Sequence, residues 1–229
     1  VSIAVDASTP ALVTGTSSAT TASFTAPIGS LLVALWSITF GAGSDTLTNS
    51  GTALTWTSRQ NSVSNPAANI ARIETAPVLT SAARTVTAAT TTGSPRTALK
   101  LLVLTGVDLA APVGAGGKGS STTQNLSAGY TSTVDDSFGV GWAIDENNAA
   151  APSSADVGYA FNNSTYGGIA VHKAAPTPAA GTSVTLNFNG TGASRNWNWA
   201  VIEVLPLIVP FAARRGKVLS QAVSRAANW

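Results

Sequence analysis

The chain is 229 residues long with a formal net charge of +2, and only 10% of its residues are charged, against about a quarter in an ordinary globular chain. That balance gives no electrostatic footprint for nucleic acid, and the absence of cysteine removes a disulfide framework, thiol chemistry and any Cys metal site. No apolar run approaches the roughly 20 residues that a membrane-spanning helix needs.

Ser2–Asp6 and Thr20–Thr25 read as short strands, the second marked by Phe24 and closed at Pro27-Ile28-Gly29. Leu31–Phe40 is apolar at both parities, as in a strand buried on two faces, and is the candidate central strand. Gly41–Gly51 reads as a loop, after which Leu54–Ser58 alternates with period two. Asn69–Pro77 sorts Ala71, Ile73 and Thr75 to one side and Ile70, Arg72 and Glu74 to the other, with Arg84–Thr87 as its expected partner. Leu99–Val107 is the second heavily apolar strand. Residues 108–133 read as the longest irregular stretch, centred on Gly114–Gly119, and loops of that length are usually functional or disordered. Ser137–Ile144 alternates, with Phe138, Val140, Trp142 and Ile144 inward and small residues outward, and Asp145–Asn163 reads as a polar loop. Strands over Gly167–Lys173, Ser183–Phe188 and Trp197–Leu205 complete the set. These elements predict an all-β fold: one antiparallel, jelly-roll-like β-sandwich domain over residues 1–205, followed by an extended segment and a short helix.

Candidate chemistry is sparse. His172 is the one histidine, on a strand opposite Ile169 and Val171, where a surface or edge position is the ordinary expectation, and no G-x-S-x-G elbow accompanies it. Gly114–Gly119 lacks the Lys-Ser or Lys-Thr ending of a phosphate loop. The acidic pairs Asp135-Asp136 and Asp145-Glu146 bracket one strand, which separates them by about 25 to 30 Å and argues against a shared glycosidase site. A calcium site on one pair plus loop carbonyls has no spaced ligand motif behind it. No catalytic residue, cofactor or metal is expected. Aromatic residues are better candidates for binding: Trp197 and Trp199 share one face of a strand with Asn196 and Asn198 beside them, a ladder suited to stacking on sugar rings. If Ala200, Ile202 and Val204 face the core, that pair and Glu203 face out as a glycan or subunit contact. Tyr130, Tyr159, Tyr166 and Asn162-Asn163 are expected on loops at its rim.

The composition changes at the end of the chain. Residues 206–229 carry Arg214, Arg215, Lys217 and Arg225 and no acid, whereas the eight basic and ten acidic residues before them leave a net −2. Leu207-Ile-Val-Pro-Phe211 is apolar and extended. Val218, Leu219, Ala222, Val223 and Ala226 then fall on one helical face. A helix of about a dozen residues is marginal alone in water, so this face needs a surface to lie on, its own sandwich or another chain. Phe211, Arg214, Arg215, Lys217, Val218, Leu219, Ala222, Val223, Arg225 and Trp229 are the expected docking residues.

Leu102-Val-Leu-Thr-Gly-Val-Asp-Leu-Ala-Ala-Pro-Val113, the closing Trp199-Ala-Val-Ile-Glu-Val-Leu-Pro206 and the basic Arg214-Arg-Gly-Lys-Val-Leu219 give the chain its resemblance to the β-sandwich virion proteins of tailed phages that infect actinobacteria, described as minor tail proteins. Arg in excess of Lys, with abundant Ala, Gly and Thr, agrees with a high-GC genome. The resemblance implies a non-enzymatic structural part of a particle, assembled in the host cytoplasm. It would sit at the tail tip or decorate the capsid. Its partners would be other virion proteins and further copies of itself, a trimer among the options, with host cell-wall glycan as an alternative partner and neither nucleic acid nor membrane.

Overall fold

The computed structural model describes residues 2–39, 44–63, 69–91, 96–145, 153–162, 166–177, 179–190 and 196–208. The expected docking residues from Phe211 to Trp229, and the expected helix with them, lie outside this set. The first half of the chain forms β1 (Ala4–Val5), β2 (Val13–Gly15), β3 (Ser18–Thr20), β4 (Phe24–Thr25), β5 (Leu31–Thr39), β6 (Asp45–Asn49), β7 (Thr57–Val63), β8 (Asn69–Pro77), β9 (Ala83–Arg84), β10 (Val86–Thr90) and β11 (Arg96–Thr105). The second forms β12 (Val113–Ser121), β13 (Asn125–Thr131), β14 (Phe138–Asp145), β15 (Val157–Asn162), β16 (Gly167–His172), β17 (Ser183–Asn189) and β18 (Trp197–Val204). The described chain is all-β, in several antiparallel sheets.

The strands stack in four layers. A large sheet of the first half, β1-β11-β5-β8-β7 with β2 alongside β11, faces a large sheet of the second half, β12-β18-β14-β16-β15. Between them lies one shared core, where Leu31, Val33, Leu35, Ile73, Leu102 and Leu104 meet Phe138, Trp142, Ile144, Tyr166, Ile202 and Val204. Each large sheet is covered on its outer face as well. Sheet β3-β10-β6 buries Trp36, Ile38, Leu99, Leu101 and Val103, and the β13-β17 pair buries Ala143, Ile169, Val171, Trp197 and Val201. This is why β5, β14 and β16 are buried at every position: a strand with apolar cover on both faces has no solvent side to alternate toward.

The two halves are built alike. Matching strands in chain order, β1, β11, β5, β8 and β7 correspond to β12, β18, β14, β16 and β15, and both large sheets then have the same strand order. Likewise β3-β10 corresponds to β13-β17; the short β2, β4 and β9 and the outer-sheet strand β6 have no counterpart among the described strands. Turn geometry repeats too. Gly29, at φ 83°, donates its N–H to Val78 O while Val78 donates to Ser30 O, both at 2.9 Å; Asp136, at φ 57°, donates to Thr177 O at 2.8 Å while Thr177 donates to Ser137 O at 2.7 Å. The sequence keeps traces of this: Ile70-Ala71 and Ile169-Ala170, Ala76-Pro77 and Ala175-Pro176, Val86-Thr87 and Val184-Thr185. The ends of the halves meet at a Val107–Pro206 bridge, where Asp108 N donates to Leu205 O (3.0 Å) and Leu207 N to Gly106 O (2.8 Å). That reciprocal exchange between matched positions is the signature of a local two-fold relation.

The structure corrects several expectations. The Gly-rich stretch within 108–133 is not irregular but forms β12 and β13. Glycine is needed in β12 because a Cβ at Gly116 would lie 2.7 Å from Gln60 Nε2 and 2.8 Å from Val201 O, and one at Gly119 would lie 2.9 Å from the Trp199 ring. The small residues of β14 do not face out: a Cβ at Gly141 would come within 3.0 Å of Leu186 and Phe188. β8 does not pair with Arg84–Thr87 but with β5 and β7, while β10 joins β3 and β6 in the outer sheet. β6 and β15 arise inside stretches read as loops.

A Gly116→Ala chain is expected to lose about 1–3 kcal/mol of stability in chemical denaturation, because the added methyl presses on the Val201 carbonyl, a backbone group that cannot swing aside. Lys118→Ala, two residues along β12 with an exposed side chain, is expected to stay within about 0.5 kcal/mol of the parent.

Candidate functional site

Trp197 and Trp199 do lie on the opposite face of β18 from Ala200, Ile202 and Val204, but that face is not open. The β13-β17 layer covers it, so Trp197 is fully buried with its indole N–H donating to Thr123 O at 3.0 Å, and Trp199 is half-buried against Gly117 and Gly119. Asn198 is buried on the shared-core side and donates from Nδ2 to Asn69 O (3.3 Å), tying the halves together. Asn196 donates its backbone N–H to Asp145 Oδ1 at 3.0 Å. A stacking platform of two outward tryptophans is therefore absent: the second layer occupies its place. Tyr130 and Tyr159 lie within β13 and β15, and Tyr166, next to β16, is fully buried in the shared core. Asn162 ends β15; Asn163 lies outside the described residues.

His172 is buried rather than at a surface or edge. Its Nδ1–H donates to Lys173 O (2.8 Å), its Nε2 stands 3.5 Å from the Tyr159 hydroxyl, and its ring centroid is 5.3 Å from that of Phe138. Burial holds its pKa below the ordinary value, against the backbone hydrogen bond to Lys173 that pulls the other way. Beside it Lys100, 2% exposed, reaches across the shared core from β11: its Nζ donates to Pro10 O at 2.6 Å and sits 3.9 Å from the Tyr159 ring. Burial without a carboxylate partner lowers its pKa from 10.5 to about 8. On the far side of β18, Glu203 is completely buried and accepts from Ala115 N, Thr133 N and Thr133 Oγ1 at 2.7–2.8 Å. Burial pushes its pKa up, but these bonds outweigh that and leave it below the ordinary value. Both groups hold strands together; neither opens onto a cleft. Among the described residues, no group of three or more His, Cys, Asp or Glu is placed to hold a metal.

The two acidic pairs do bracket β14, with Asp135 and Asp136 before it and Asp145 its last residue; Glu146 lies outside the described residues. Asp145 is fully buried while Asp135 and Asp136 are exposed. Those exposed acids belong to the end of the molecule where the two halves bridge. β5, β7, β14 and β15 begin there, and β8, β11, β16 and β18 finish there. All five large hydrophobic residues exposed among the described ones, Ile28, Leu79, Val157, Leu207 and Ile208, lie at this end. Asp108, Asp135, Asp136 and Asp156 stand there as well, against Lys173, paired to Asp156 at 2.6 Å, and Arg59, bonded to Thr75 Oγ1 at 2.8 Å. A cleft of about 460 Å³ opens at the same end between Asp156, Lys173–Thr177 and Thr182–Thr185. The sequence reading missed this cleft, and its one signal was the internal repeat, which shows that the second half lacks a strand the first half has. No family model, curated protein or solved structure matches the chain.

The unfolded chain holds the Lys100 proton up to its ordinary 10.5, whereas the folded chain releases it at about 8. The unfolded state therefore binds more protons between these values, and stability is expected to rise with pH there by an amount on the order of 3 kcal/mol. Lys100→Met should abolish that rise in denaturation curves taken from pH 7.5 to 10.

Proposed function

We propose that the protein is a non-enzymatic structural component of a particle, a virion protein of a tailed phage, most closely fitting a minor tail protein, that assembles through residues 206–229. The observation that carries this reading is the gathering of every exposed large hydrophobic among the described residues at the one end from which Leu207 and Ile208 lead into the basic stretch. Single exposed apolar side chains are ordinary on a protein surface; a cluster of them at one place marks a contact. A layered body with three buried apolar cores supports a rigid building block, and a +4 segment beside an acidic end supports association between copies or with another virion protein. We read each half as jelly-roll-like. With the short β2, β4 and β9 left out of the count, the orders first-last-third-sixth-fifth in the large sheet and second-seventh-fourth in the outer one support that description, with the fifth strand in the large sheet instead of the outer one.

Light scattering on the full chain beside a chain ending at Ile208, which keeps the Val107–Pro206 bridge, tests the assembly reading. The full chain is expected to be an oligomer and the shortened chain a folded monomer. Monomers in both cases at high concentration would remove the basis for self-assembly.

A further inference from the structure

The two halves differ at the edge of the outer sheet. In the outer sheet of the first half, β10 is paired on both sides: Thr87 lies opposite Thr20 on β3 and Thr48 on β6, and Thr85 exchanges with Ser50, its carbonyl accepting from Ser50 N at 3.0 Å and its N–H donating to Ser50 Oγ at 2.8 Å. In the second half β17 pairs with β13 alone. Antiparallel pairing alternates, so the groups of Asn189, Asn187, Thr185 and Ser183 point away from β13.

Most of that edge is closed by local devices. Asn189 exchanges both backbone bonds with Ser153 at 2.8 Å. Asn187 N donates to Asp156 Oδ2 (3.0 Å) and Asn187 O accepts from Ser154 Oγ (2.5 Å), while Thr185 O accepts from Lys173 Nζ (3.2 Å). The edge-facing N–H of Thr185 and both edge-facing groups of Ser183 lie beyond these caps, on the wall of the 460 Å³ cleft. Asp136 borders the same cleft through its bond to Thr177 O, and Asp135 stands beside it, accepting from Ala180 N at 2.8 Å.

Resting on the assembly reading above, we propose that this cleft is the docking site for the basic segment of a second copy of the chain. Residues 209–213 add as a short strand along Ser183–Thr185, in the place that β6 and Ser50 fill in the first half, and Arg214 and Arg215 then meet Asp135 and Asp136. An exposed sheet edge with a pocket beside it is a ready receptor for an extended segment. The occupant comes from another copy because Leu207 N is bonded to Gly106 O of the first half. Leu207 is thereby held at the first half rather than at the β13-β17 layer that flanks the cleft.

The test reads oligomeric state by light scattering and amide exchange at Thr185 by NMR, on the full chain and its variants. Asp135→Lys with Asp136→Lys is expected to give monomers, and adding Arg214→Asp with Arg215→Asp to restore the oligomer. Thr185→Pro, which removes the edge-facing N–H without touching the β13 ladder, should also give monomers. The Thr185 amide should exchange at least tenfold more slowly in the full chain than in one ending at Ile208. If the full chain is an oligomer, the shortened chain a monomer and neither the charge reversal nor Thr185→Pro changes the oligomer, assembly stands and this site is wrong. A monomeric full chain with a slowed Thr185 amide would place the segment in its own cleft and overturn the exchange between copies. A monomeric full chain with an unprotected Thr185 would remove both the site and the assembly reading.

Discussion

The contact between the two large sheets is the constraint on which the rest of the architecture depends. It takes one face of β5, β8 and β11 from the first half and one face of β14, β16 and β18 from the second, so neither large sheet keeps an inner face for water. Truncating one large side chain in such a core costs about 3–5 kcal/mol. By comparison the ion pairs among the described residues, Arg72–Asp45 and Lys173–Asp156, contribute about 1 kcal/mol or less each at partly exposed sites. Packing therefore decides the fold, and the charges refine its edges. It also explains Gly141, where Leu186 and Phe188 of the outer layer leave no room for a side chain, while Gly117 and Gly119 make way for the Trp199 ring on the neighbouring strand of their own sheet.

Lys100, His172 and Glu203 are drawn into this stack, and each is anchored. Lys100 donates to the Pro10 carbonyl and lies on the Tyr159 ring, His172 is fixed by the Lys173 carbonyl, and Glu203 collects three hydrogen bonds that join β12 and Thr133, two residues past β13, to β18. Such groups are costly to bury and are tolerated when satisfied. At β12, whose glycines offer no apolar side chains, the Glu203 bond to Ala115 adds a side-chain anchor to the backbone ladder with β18. The same logic reaches the surface at β17, where side chains of Ser154, Asp156 and Lys173 stand in for a missing strand and stop short of its first residues.

Much of the fold was legible in the sequence where side chains report their surroundings. Leu31–Phe40 and Leu99–Val107 announced burial on both faces, and they are adjacent strands at the centre of the first large sheet. Val184, Leu186 and Phe188 announced one buried face and have it. What failed did so for one physical reason: a strand's pattern tells whether a face is covered but not by what. A two-layer sandwich would leave the Trp197–Trp199 face and the small residues of β14 exposed, and a second pair of outer layers buries both. β12 was illegible because glycine carries no periodicity, and β6 and β15 because outer and edge strands alternate weakly in a chain rich in Ser, Thr and Asn. The candidate cleft depends on a comparison between halves that periodicity alone does not make, although the Ile-Ala, Ala-Pro and Val-Thr pairs were there to be aligned.

If the shared core makes the halves one unit, they must unfold together. Native-state hydrogen exchange with denaturant, read at the central strands β5 and β14, measures this directly. The account predicts that the slowest amides of both strands open with the same free energy and the same denaturant dependence, as one cooperative transition. A β14 that opens several kcal/mol below β5, or the reverse, would mean that each half stands on its own outer core, and would contradict the central role of the sheet-to-sheet contact.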